Sequence, residues 1–153
     1  MEAEAVGNLA LSYGISIVGI TFFIDKFVQN NSLRSCFTSD MLQIVKDATK
    51  TSSGGKSFCE KLLETNETNE LVGLATVFIS HAWKYEFETF VNALKTRFEK
   101  EPEAYLWIDI FSHNQHNELS SDEWITNFEE HIKRINRTVM IVMPWDNPTP
   151  FTR

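Results

Sequence analysis

A chain of 153 residues is long enough for one domain with a real core, since about two-thirds of the unfolded surface leaves water at this size. Its residues are 42% hydrophobic, 23% charged and 12% aromatic, which excludes disorder for most of the length. The net charge is −7, with six basic against nine acidic side chains over residues 1–76 and eight against twelve over 77–153; this excludes a broad nucleic-acid footprint and an anionic-membrane partner. Two cysteines, Cys36 and Cys59, are too few for a disulfide scaffold and fit a reduced, cytoplasmic protein.

Residues 6–24 carry no charge. The stretch before them is acidic, which is wrong for a secretory signal, and seven polar or glycine positions make the run too polar for a membrane span. It reads as a buried helical or loop–helix element. Short helices follow over 21–29, from Ser39 onward, and over 57–64, each with one apolar side. Gly54-Gly55-Lys56-Ser57 imitates the end of a phosphate-binding loop, but Lys50 stands where the first glycine belongs and no strand precedes it.

At residue 75 the pattern changes. An apolar, β-branched run over 75–80 predicts a first strand. Residues 85–99 predict a helix with Phe87, Phe90, Val91, Leu94 and Phe98 on one stripe. Residues 105–110 predict a second strand. Ser120 and Glu123 form a capping box, opening a helix with Trp124, Phe128, Ile132 and Ile135 inward. Residues 138–143 predict a third strand. Strands about 30 residues apart, each pair separated by one amphipathic helix, have the spacing of consecutive βαβ units. The fold class is therefore α/β, an open parallel sheet of flavodoxin-like type. Residues 1–72 form a helical extension packed on it, and residues 73–153 form the sheet domain.

Ligands of open parallel sheets bind beyond the carboxyl ends of the strands. Ser80, His81 and Trp83 follow the first strand. Asp109, Ser112, His113, Asn114 and His116 follow the second, and Trp145, Asp146 and Asn147 the third. His113 and His116 with Asp109 or His81 match no recognised metal-ligand spacing, so no metal site is assigned. Ser80, His81 and Asp109 make a poor catalytic triad, because adjacent side chains of an extended segment point apart and no G-x-S-x-G elbow is present.

The run Val77-Phe78-Ile79-Ser80-His81-Ala82-Trp83 resembles the first-strand motif of Toll/interleukin-1 receptor (TIR) domains. Leu106-Trp107-Ile108-Asp109 resembles their second strand. Trp124 with residues 129–135 resembles the helix that follows, and residues 139–143, leading into Pro144-Trp145, the third strand and its loop. Together with Phe111-Ser112-His113-Asn114-Gln115-His116, these motifs resemble a divergent TIR-like branch of protists, algae and fungi, often found beside tetratricopeptide repeats. The resemblance spans residues 73–153.

It implies a sheet of about five strands, of which three are present. It also implies a signalling or scaffold module that associates with like domains, with residues 111–116 and 145–147 as its interaction loops. The alternative it implies is an NAD glycohydrolase. In that case Trp83 and Trp107 stack on the rings of NAD, Asp109 or Ser80 holds its ribose hydroxyls, and His81 joins them in the cofactor-binding set. The family's catalytic glutamate is expected beyond Arg153, in a longer parent chain, so no catalytic residue is assigned. Residues 111–120 also lack the glycine or proline usual in the family's self-association loop. A free edge on the third strand predicts a sticky or marginally stable chain.

Overall fold

The uncharged N-terminal run does not form one helix; it divides at Ser16. The computed structural model describes residues 12–28 and 36–143. Tyr13–Ile15 form strand β1 and Ile17–Phe27 form helix α1. Ser16 is extended, and its hydroxyl accepts from the Gly19 N–H at 3.0 Å, which fixes the helix start. The expected loop–helix element is thus a strand followed by a helix. Among the described residues no helix is long and apolar enough to cross a membrane.

Helix α2 (Met41–Thr49) runs into a hairpin of β2 (Lys50–Thr51) and β3 (Gly54–Gly55). Helix α3 (Phe58–Leu63) opens on a capping box of Ser57 and Glu60. Then come β4 (Val72–Leu74), β5 (Val77–Ser80), α4 (Phe87–Arg97) and β6 (Leu106–Trp107). A single turn α5 (Asp109–Ser112), helix α6 (Ser121–Ile135) and β7 (Thr138–Met140) complete the described chain.

The fold is α/β, with a five-stranded sheet in the order β4-β1-β6-β5-β7. β5 lies between β6 and β7 and pairs with both in parallel. The other two strands are antiparallel and come from the first 74 residues: β1 pairs with both β4 and β6. The N-terminal region is therefore more than a helical extension. It supplies a strand inside the sheet, and that strand passes so close to its neighbour that a Cβ on Gly14 would lie 2.8 Å from the Tyr105 and Leu106 backbone.

Side-chain alternation along the strands separates two faces. Val77, Ile79, Leu106 and Ile108 point into the main core with Phe23, Phe58, Phe87 and Phe90. Phe78 and Trp107 point the other way, their rings stacked 4.8 Å apart, and Phe128 of α6 meets them at 5.8 and 5.4 Å. Helices α1 and α4 thus cover one face and α6 the other. The Ser120–Glu123 capping box of α6 is present, and Asn136 ends the helix in the left-handed conformation at φ 58°. Ile132, expected inward, is 39% exposed, because among the described residues α6 alone covers its face and no residue of it is fully buried.

The second strand is shorter than its apolar run. The N–H groups of Phe111 and Ser112 both return to the Ile108 carbonyl, and the Asp109 carboxylate accepts from the Ile110 N–H at 2.8 Å. These bonds favour a helical turn over continued pairing. β7 likewise ends at Met140, short of residue 143.

The chain leaves β5 for β6 on one side, then returns past β5 to β7. Crossovers of one handedness must then put α4 and α6 on opposite faces, as found. The reversal of strand order falls between β5 and β7, and the carboxyl ends of all three parallel strands lie at one end of the sheet, where open α/β sheets hold ligands.

Candidate functional site

His81 is the first residue beyond β5. Its ring lies flat on Phe90, with centroids 4.4 Å apart, and its Nε2 stands 3.6 Å from Asp109 Oδ1. That separation is too long for a hydrogen bond, and Nε2 has no partner. Burial pushes the imidazole pKa down, and the nearby Asp109 charge only partly opposes this. The ring is therefore neutral at pH 7, and the contact is not an ion pair despite its geometry.

The Trp83 indole N–H donates to Asp109 Oδ2 at 2.6 Å. With the Ile110 N–H on Oδ1, each carboxylate oxygen has a donor. Gln115 Nε2 donates to the Asp109 carbonyl at 2.7 Å. Trp83 and Asp109 thus reach across from the segments after β5 and β6 and close on one another beyond the carboxyl ends of these strands. Ser80 ends β5, and its carbonyl accepts from the Ile141 N–H at 2.8 Å.

Two residues that the resemblance assigns to a ligand or a partner, Trp107 to NAD and Phe111 to an interaction loop, belong to the interior. Trp107, at 1% exposure, lies against Phe78, Phe128 and His131, so it cannot stack on an external ring without displacing α6. Phe111 is fully buried, 5.0 Å from Phe23 and 5.7 Å from Phe58. Both misplacements follow from the sheet's alternation and the early end of β6.

The residues after α5 are fastened inward rather than projecting as a free loop. Ser112 Oγ accepts from the Ile108 N–H at 3.2 Å and lies 3.7 Å from Cys59 Sγ, a thiol pushed up to about 12 by burial. Asn114 Nδ2 donates to the Gly55 carbonyl at 3.1 Å. His116 bonds Thr49 Oγ1 through Nε2 at 2.9 Å, and its ring occupies the space a side chain on Gly55 would need. Trp145, Asp146 and Asn147 lie outside the described residues.

Beside this rim is a cleft of about 310 Å³ that the sequence did not announce. It opens between the start of β1, the start of α3, the segment after α5 and one flank of α6. His113 lines it at 8% exposure, its ring on Trp124 at 4.4 Å and its Nε2 without a partner. His131 lines it too, with Nδ1 2.7 Å from Ser12 Oγ. Burial, then the Arg134 charge, bring His131 down to about 4. Among the described residues no group of three or more His, Cys, Asp and Glu is placed to hold a metal ion.

Comparison with protein-family models, curated proteins and solved structures returns no match to this chain.

Proposed function

We propose that this chain is a cytosolic assembly module of TIR-like kind, which associates with a second copy of itself through the β7 edge. The observation that carries this reading is that edge. In the described sheet β7 pairs only with β5, so its outer N–H and C=O groups are unused by the sheet. Its register with Phe78 and Ser80 turns Met140 to the α6 face, where it is 49% exposed. Ile125 and Ile132, seven residues apart and so on one line of α6, are 59% and 39% exposed. Asn127 and His131 occupy the flank of α6 toward the cleft and β1. Ile125 and Ile132 therefore lie on the flank toward β7, beside Met140. A two-fold pairing of β7 edges would continue the sheet and cover both apolar strips at once.

The state of Trp83 and Asp109 supports assembly over catalysis, since each satisfies the other and Trp107 is in the core. The test is light scattering across a concentration series, on the parent chain and on Met140→Lys with Ile132→Lys. Association that the double substitution abolishes, with an unchanged circular dichroism spectrum, is expected. A monomer at every concentration rejects the reading.

One observation favours a second reading, cleavage of NAD by a longer parent chain: Trp83 and Asp109 meet beyond the carboxyl ends of β5 and β6, the end of the sheet at which open α/β folds hold ligands. Release of nicotinamide by that parent, lost in Asp109→Ala, tests it.

A further inference from the structure

We infer that the β7 edges of two copies pair antiparallel about a two-fold axis at Val139, an inference that rests on the assembly reading above and fixes its register. The backbone selects this residue. The Arg137 carbonyl accepts from the Phe78 N–H at 2.7 Å, and the Ile141 N–H donates to the Ser80 carbonyl at 2.8 Å. Residues 137 and 141 thus turn their polar groups toward β5. Backbone groups alternate in direction along a paired strand, so Val139 also faces β5, while Thr138 and Met140 turn their N–H and C=O groups outward. Among the described residues those outward groups have no partner.

An edge pairs with its own copy when its open groups complement themselves. With the axis at Val139, each Thr138 stands opposite the partner's Met140, and every outward N–H of one strand meets an outward C=O of the other. Other two-fold registers do less. An axis at Thr138 sets Met140 opposite the partner's Asn136, whose N–H already returns to the Ile132 carbonyl at the end of α6. An axis at Met140 sets Thr138 opposite the partner's Val142, beyond the last bond to β5. The side chains leave the edge open. Natural edges are commonly guarded by lysine, proline or a bulge, but Thr138, Val139 and Met140 are uncharged. The nearest charge, on Arg137, is held by Glu101 through bonds of 2.7 and 3.0 Å, and the axis sets Arg137 opposite the partner's Ile141 rather than against another Arg137.

The test is disulfide trapping of the full chain, in a Cys36→Ser background that leaves only the buried Cys59, with light scattering alongside. Opposed Val139 residues form a non-hydrogen-bonded pair with Cα atoms about 4.5 Å apart, within disulfide reach. Val139→Cys should therefore shift to a band of two chains under mild oxidation. A mixture of Thr138→Cys and Met140→Cys should do the same. Thr138→Cys alone should not, because its two copies stand diagonally, about 7–8 Å apart. Each variant is first checked for the parent's circular dichroism spectrum. Dimers that trap through Thr138→Cys alone, or that fail to trap through Val139→Cys, overturn the register and leave the assembly reading standing. Masses that grow beyond two copies indicate pairing of β7 with the opposite edge, β4, and also overturn it. A monomer at every concentration rejects the assembly reading and this register together.

Discussion

A buried histidine either finds a partner for each ring nitrogen or stays neutral at a cost. His81, His113 and His131 all have pKa values held below the ordinary histidine range, in each case chiefly by burial. The unfolded chain then takes up protons first as pH falls, so stability is lost as acidity rises. The thermal midpoint should decline steadily from pH 7 to pH 5, through the ordinary histidine range near 6.5. His131→Phe, which keeps a ring against Trp107, should flatten that slope; an unchanged slope would refute the assignment. A separate loss belongs below about pH 4.5, because Arg137 and Arg97 hold Glu101 down to about 2. Asp109 makes a second case at this scale. Asp109→Ala strips the Trp83 and Ile110 N–H groups of their acceptor and should cost about 1–3 kcal/mol in urea unfolding, with the m-value unchanged. A midpoint equal to the parent's would show that the Trp83 bond contributes nothing.

At the scale of elements, what could be read in the sequence depended on how local its cause was. The β5 run, the apolar stripe of α4 and the Ser120 capping box rest on neighbours within a few positions, and each stands where its pattern put it. β1 is three residues with a glycine in the middle, and its partners are far along the chain, so no local period announced it. The resemblance assigns Trp107 to stacking on NAD, while its core position follows from alternation with Leu106 and Ile108. That signal was present and outweighed. The cleft was only half legible. Ser57–Glu60 is a second capping box, visible in sequence, but nothing local says that it faces the one at Ser120–Glu123.

For the whole molecule, the sheet makes the chain indivisible at residue 72. β1 bridges β4 and β6, and Phe23 of α1 packs against Phe58, Phe87 and Phe111. A fragment of residues 73–153 would lose β1 from the exposed side of β6, together with the helices on the main core face. It should show no cooperative melting transition, while the full chain does. A sharp transition in the fragment would restore the reading of residues 1–72 as a packed extension.

The insertion of β1 also sets an order of events during synthesis. Ile15 leaves the ribosome before its register partners, Val72 of β4 and Leu106 of β6. Until Leu106 has emerged, β1 has at most one neighbour, and the aromatic side chains of α1 lack much of their core. Synthesis is slow, on the order of 5–20 residues per second, so this interval lasts for seconds. β1 thus waits for seconds as an unpaired strand beside an apolar helix, a state that a chaperone could hold until Leu106 is made.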